Sequence, residues 1–357
     1  GIPLFEHCNL IPLDVPKSLS FYKKKARGLM LYYMTWMWMV AKRVEKEGPF
    51  DVIHLVNFHT DVYPHFLRNP HGKLIWGPLA HHPFVPPELV YQKPRAWYIG
   101  IEYLKYMTKQ IFWRSPWMIR ALENSDVIFC CNSHQLPPSY RRFRHKIRFL
   151  NVFSRSLGIK RDAVVQDGPF QLLFIGRFMD VKGTIFSLEV FRDFWKEYPN
   201  ARFTMIGKGP LKDQIVDVIE QYGLEKAVNL VEWLPQEELV SYYQRSHVFF
   251  YPSMEAQGMV VTEAMQFGVP ILCLEGFGPH SIARECAITV PFQRGNLSNT
   301  HERFLSELRS LHALHKKPEY TSLREKTRAC YQRYLRVEMQ IHDILDAFGV
   351  SVEEEAS

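Results

Sequence analysis

The sequence has no apolar run long enough to cross a bilayer. The nearest candidate, Leu29–Val40, covers twelve residues, where a spanning helix needs about 20, so it is expected to form a core helix. Cysteine is scarce. The six cysteines, Cys8, Cys130, Cys131, Cys273, Cys286 and Cys330, show no metal-binding spacing and are expected to be buried free thiols in a reducing compartment. No Asp-x-Asp pair occurs, so no such carboxylate pair stands ready to hold a divalent ion under a diphosphate, and no metal ligands are assigned. A Gly-x-Gly-x-x-Gly loop followed about twenty residues later by an acid is also missing, which argues against a dinucleotide-dependent oxidoreductase. There is no internal repeat and no low-complexity tract, and no signal peptide is expected within these residues, which open with Gly rather than Met. A cytoplasmic chain, at most peripheral at the inner face of a membrane, is the expectation.

What is present is a core-forming composition: 46% hydrophobic and 23% charged residues over a length that suggests about two domains. The charge is uneven. Residues 1–160 hold 23 Lys and Arg against 10 acids, a net of +13, and the remainder has a net of −6. An anionic partner for the first half and an ordinary solvated basic face fit this equally. The basic residues are interleaved with aromatics over Tyr91–Arg120, and Arg141, Arg142, Arg144, Lys146 and Arg148 follow. That mixture suits an anionic membrane surface with a lipid-linked acceptor, or a core helix with a basic edge. No nucleic-acid motif accompanies it, so nucleic acid is not an expected partner.

Short apolar runs bounded by turn residues predict parallel strands at Asp51–Asn57, Lys73–Pro78, Ser125–Asn132 and Ile147–Val152. Tyr32, Trp36 and Val40 recur at helical spacing before them. Arg155–Gly168 is polar and unpatterned and reads as a linker. Strands at Leu172–Ile175, Arg202–Ile206, Val228–Val231, Val248–Tyr251 and Ile271–Leu274 then alternate with helices near Thr184–Glu197, Leu211–Tyr222, Gln236–Arg245 and Met259–Phe267. This is the pattern of a doubly wound α/β domain. One or two helices are expected over Leu323–Phe348.

The densest chemistry lies in Tyr251–Pro270, which reads as strand, loop and helix. The loop sets Glu255 at the C-terminal edge of its strand, where open α/β sheets bind ligands. Gly258, Met259 and Val260 open a helix whose free N–H groups suit an anion. Glu263 lies farther along the same helix. Two acids around an amide cradle fit a ligand with hydroxyls and phosphates, such as a sugar nucleotide. Gly176-Arg177-x-x-x-x-Lys182-Gly183 follows the first strand of the same domain. Arg can grip two phosphate oxygens there, and Lys adds a point charge. Gly207, in Ile206-Gly207-Lys208-Gly209-Pro210, ends the next strand.

The pattern Pro-Ser-x-Glu-x-x-Gly-x-x-x-x-Glu-Ala-Met-x-x-Gly-x-Pro resembles the Glu-x7-Glu motif of the retaining GT-B glycosyltransferases of family 4. The Gly-Arg and Lys-Gly pairs match that family too. The resemblance covers about residues 51–300. It implies two Rossmann-like domains facing a cleft: an acceptor-side domain over 1–158 and a sugar-nucleotide domain over 159–322. A C-terminal segment, 323–357, would cross back onto the first. It also implies metal-independent, retaining transfer of a sugar from a UDP- or GDP-linked donor to a glycan or lipid-linked acceptor. No separate cofactor is implied. In these terms Glu255, Arg177 and Lys182 act in catalysis, and Gly176, Gly207, Gly258, Met259, Val260 and Glu263 bind the donor. A His after a first-domain strand would touch the donor sugar, which His81 or His82 could do, with His59 the other candidate. The alternative is a non-catalytic sugar-nucleotide-binding protein of the same fold. The first domains of the family open with a strand and a Gly-rich loop. Residues 1–50 supply neither, so the N-terminal domain is expected to be incomplete.

Overall fold

The structure is a computed structural model that describes residues 8–20, 28–56, 60–81, 83–132, 134–150 and 168–350. His59, His82 and all of the expected linker except Gly168 lie outside those residues.

The first sheet holds four parallel strands: β1 (Val52–Leu55), β2 (Lys73–Leu79), β3 (Val127–Cys130) and β4 (Ile147–Phe149), side by side in sequence order. Parallel strands covered on both faces read as continuous apolar runs, and the pleat then divides their residues. Leu74 and Trp76 of β2 join Ile128 and Cys130 of β3 in one core, under α1 (Leu29–Glu47) and α3 (Pro116–Asn124). Ile75, Val127 and Phe129 turn to the opposite face. The buried stripe of α1 is Tyr33, Met37 and Ala41, one residue out of phase with the Tyr32, Trp36 and Val40 spacing. Between β2 and β3 runs α2 (Arg95–Trp113), and α4 (Pro138–Arg141) precedes β4.

The second sheet has six parallel strands: β5 (Gln171–Ile175), β6 (Arg202–Ile206), β7 (Val228–Val231), β8 (Val248–Tyr251), β9 (Ile271–Leu274) and β10 (Ala287–Val290). Their order is β10-β9-β8-β5-β6-β7. The winding reverses between β5 and β8, so the ligand crevice of such a sheet opens beyond the C-terminal ends of these two strands. Every residue of β8 and β9 is buried. Helices α5 (Thr184–Glu197), α6 (Lys212–Gln221), α7 (Gln236–Arg245), α8 (Met259–Gln266) and α9 (Gly278–Ala283) make the crossovers. The expected strands and helices of this domain appear within a residue or two of their predicted bounds. Strand β10 and helix α10 (Leu297–Leu314) fall where no element was assigned.

Helix α11 (Pro318–Tyr334) packs beside α8, and its buried Arg324 donates to the Ser246 and Phe267 carbonyl oxygens at 2.9 and 2.8 Å. Helix α12 (Val337–Phe348) then reaches the first sheet, where Ile344, Ala347 and Phe348 cover Ile75, Val127 and Phe129. Lys73 donates to the Ala347 carbonyl oxygen at 3.3 Å.

The free-thiol expectation needs correction at three cysteines. Cys286, just after α9, and Cys330, in α11, form a disulfide, with Cα atoms 6.6 Å apart across 44 residues. The packing of α11 against this segment brings them within bonding reach. Cys8 is free but exposed, whereas Cys130, Cys131 and Cys273 are free and buried. A disulfide is no mark of a reducing compartment, so that inference loses its support. Among the described residues no helix is long and apolar enough to cross a membrane.

Candidate active site

The two loops that end β5 and β8 meet at the switch point. After β5 a short 3-10 turn, Asp180–Lys182, leads into α5 through Gly183 in the left-handed region (φ 65°). A Cβ at Gly183 would stand 2.4 Å from the Pro252 carbonyl oxygen, so glycine is what lets this turn press against the β8 loop. Lys182 then reaches across. Its Nζ donates to Glu255 Oε2 and to the Tyr251 hydroxyl, both at 2.6 Å. The Tyr251 hydroxyl in turn donates to Glu255 Oε1 at 2.6 Å. Both charged side chains are 16% exposed. Burial, and then the Glu255 charge, push the Tyr251 phenol well above its ordinary range, so it remains a donor. The loop is fixed from behind as well. Glu255 N–H donates to Ser253 Oγ, and the Glu255 carbonyl oxygen accepts from Gly278 N–H at 2.8 Å.

Glu263 sits one turn and more into α8, apart from this trio. Its Oε2 accepts from the Tyr243 hydroxyl at 2.8 Å, and Gln236 Nε2 lies 3.4 Å from Oε1. Burial raises the Glu263 carboxyl above its usual value, with the Tyr243 bond opposing. The first-turn N–H groups of α8, at Met259 and Val260 beside Gly258, have no partner inside the helix. Gly207 packs so closely on the β5 turn that a Cβ would lie 1.9 Å from the Gly176 carbonyl oxygen. Gly207 therefore has a packing reason in addition to its expected place beside a donor. Arg177 is exposed and makes no hydrogen bond or ion pair with a described residue.

The first domain contributes His81, just past β2. Its Nδ1 lies 2.6 Å from Asp61 Oδ2, and its ring packs against Trp113 with centroids 5.2 Å apart. Asp61 is 2% exposed, and its carbonyl oxygen accepts from Trp113 Nε1 at 3.0 Å and the Tyr140 hydroxyl at 3.2 Å. Asp61 therefore holds one imidazole nitrogen, Nδ1, and so orients the ring.

The loops carrying the site also join the domains. Gln257 Nε2 lies 2.8 Å from Cys131 Sγ, Ser281 donates to Asn132 Oδ1 at 2.9 Å, and the His134 and His280 rings stack at 4.5 Å. On the other side the Tyr91 N–H donates to Asp180 Oδ1 at 2.8 Å, and the Tyr91 hydroxyl donates to Glu189 at 2.6 Å.

The geometry thus brings Lys182 and Glu255 together, sets Glu263 on a separate support, and places His81 in the facing domain. Four supporting residues, Tyr251, Tyr243, Gln236 and Asp61, escaped the sequence reading. Tyr251 stood inside the motif, but strand alternation does not reveal which hydroxyl meets an acid. No spacing links Asp61 to His81. Among the described residues no group of three or more His, Cys, Asp or Glu is arranged to hold a metal ion.

Residues 158–322 match the family model described as Glycosyl transferases group 1. The chain is 28% identical over 166 residues to the alpha-monoglucosyldiacylglycerol synthase of Acholeplasma laidlawii, covering 46% of this chain and 39% of that protein. It is 32% identical over 171 residues to the amylovoran biosynthesis glycosyltransferase AmsK of Erwinia amylovora, covering 42% and 41%. The chain thus spans about two fifths of the length of these relatives. Its fold is similar to that of a glycosyltransferase from Rickettsia africae, with a TM-score of 0.59 at 11% identity over 91% of this chain and 82% of the other. The sequence likeness to glycosyl transferases group 1 is thus confined to residues 158–322, and the structural likeness shows a GT-B fold.

Proposed function

We propose, from a second domain of the glycosyl transferases group 1 type, that the protein is a retaining, metal-independent glycosyltransferase. It moves a sugar from a UDP- or GDP-linked donor to a glycan or lipid-linked acceptor bound on the first domain. The meeting of Lys182 and Glu255 at 2.6 Å, from loops 73 residues apart at the sheet's switch point, carries this reading. The family match and its relatives support it. One of those relatives is by name a synthase of a glucosylated diacylglycerol, which favours the lipid-linked acceptor class.

In this reading Arg177 and Lys182 grip the diphosphate and the α8 amides add to the cradle. Glu263 binds the ribose and Glu255 the sugar hydroxyls. His81, oriented by Asp61, contacts the donor sugar from the opposite domain. The bond from the anomeric carbon to the diphosphate oxygen breaks, and charge grows on the leaving phosphate. Fixed cations are worth more at that moment than in the ground state. The acceptor hydroxyl attacks from the same face, and its proton passes to the leaving phosphate. No protein nucleophile is needed, which fits a site whose Glu255 is already held by Lys182 and Tyr251.

Thermal shift with UDP, GDP and NAD tests the ligand class. A nucleotide diphosphate at 100 times its dissociation constant stabilises the protein by about 2.7 kcal/mol, and NAD should do nothing. Nucleotide binding with no turnover of any UDP- or GDP-sugar would leave a non-catalytic sugar-nucleotide-binding protein.

A further inference from the structure

The outward face of α2 is apolar. Trp97, Leu104, Met107 and Ile111 are 65%, 68%, 57% and 69% exposed, and their spacing of seven, three and four residues puts them on one stripe. Gly100 lies within that stripe. Isolated exposed apolar residues are ordinary, but a contiguous stripe of large ones marks an interaction surface. The helix is anchored elsewhere: Tyr98 and Ile99 pack against the core, Trp113 is buried against His81, and the partly exposed Tyr103 and Tyr106 rings contact Phe84 with centroids 5.0 and 5.5 Å apart.

The charge around the stripe names its partner. Residues 93–148 carry eleven Lys or Arg and three acids, Glu102, Glu123 and Asp126. Glu102 is paired with Lys105 at 2.7 Å, and Asp126 accepts from the Leu74 N–H at 2.8 Å. Past the end of α2, exposed Trp117 and Trp38 line a surface cavity of about 320 Å³ with Lys42, Arg68 and Arg120 and one acid, Glu45, which pairs with Lys42 at 2.8 Å. Apolar stripe, tryptophans and cations together are what a helix needs to lie in the interface of an anionic bilayer. A second copy of the chain would bring the same cations against these.

We propose that α2 docks flat on an anionic lipid bilayer through Trp97, Leu104, Met107 and Ile111. The 19-residue helix is about 28 Å long. Because the same helix backs His81 with Trp113, docking sets the cleft within about one helix diameter, 10–12 Å, of the lipid surface. This deepens the lipid-linked acceptor reading, but vesicle binding does not depend on nucleotide binding, so the two fail separately.

Co-sedimentation with phosphatidylcholine vesicles, with and without phosphatidylglycerol, tests it on the full chain. The protein should pellet with the anionic vesicles and far less with the neutral ones. Leu104→Asp/Ile111→Asp should lower that partitioning at least about tenfold, with melting temperature and UDP affinity unchanged. A wild-type protein that stays in the supernatant with anionic vesicles overturns the proposal. So does a double variant that pellets equally. Lipid-free self-association that the double variant abolishes, with no change in vesicle binding, would reassign the face to protein–protein contact.

Discussion

Replacing Lys182 by Met tests the site through stability, without any ligand. In the folded protein Lys182 balances Glu255 at 2.6 Å, with both side chains 16% exposed. Removing the cation strands a carboxylate whose remaining partner is the Tyr251 hydroxyl. Breaking a fully buried ion pair costs about 3–5 kcal/mol. This pair opens on a cleft, so about 1–3 kcal/mol is the expected loss, near that for an unsatisfied buried polar group. For a domain of this size that lowers the melting temperature by about 3–10 °C. The double variant Lys182→Met/Glu255→Gln should recover most of the loss, because no unpaired charge remains and Tyr251 can still donate. Calorimetric melts of the wild type, both single variants and the double variant give the coupling energy. If the single and double variants melt together, or Lys182→Met melts like the wild type, the pair is an incidental surface contact and the site is misdrawn.

Other outcomes follow from the same geometry. Glu263→Gln should weaken nucleotide diphosphate binding, whereas Glu255→Gln should leave that binding nearly intact and lower kcat and kcat/KM together; the opposite split would reverse their roles. Burial holds the Glu263 carboxyl above its unfolded value, so its charge costs stability once pH rises above the unfolded range. Relative to wild type, Glu263→Gln should therefore look more stable at pH 7 than at pH 4 in paired melts, and a gap that is flat with pH would contradict this. Asp61→Asn should leave UDP affinity intact but lower kcat by disturbing the His81 tautomer, and His81→Ala should make the Asp61 change silent; additive losses would separate the two residues. Transfer from the correct donor should survive EDTA, and an obligatory divalent ion would refute the metal-independent reading.

The second domain was legible because its chemistry is local and its strands are extreme. Val248–Tyr251 and Ile271–Leu274 are buried on both faces, so they stand out as unbroken apolar runs between turn residues. Glu255, Gly258 and Glu263 share one strand-loop-helix, and Lys182 follows the neighbouring strand, so topology alone put them at one edge. What stayed hidden depends on tertiary contact. Tyr243 and Tyr251 look like ordinary core aromatics until their hydroxyls are seen on Glu263 and Glu255. Cys286 and Cys330 are joined only because α11 folds back. Short β10 has half-buried residues rather than a fully apolar run, and α10 opens with the polar Ser298, Asn299 and Thr300. In the first half the cations and aromatics of α2 were visible, but not that Trp97, Leu104 and Ile111 would all face outward.

The central claim, that the β5 and β8 loops bind a nucleotide diphosphate, is met most directly by titration calorimetry with UDP and GDP. One of the two should bind the wild-type chain. Arg177→Ala and Lys182→Ala should each weaken that binding by about 1.5–3 kcal/mol, the worth of a hydrogen bond to a charged group, or roughly 10- to 150-fold. Binding of neither nucleotide, or equal affinity in both variants and the wild type, would contradict the account.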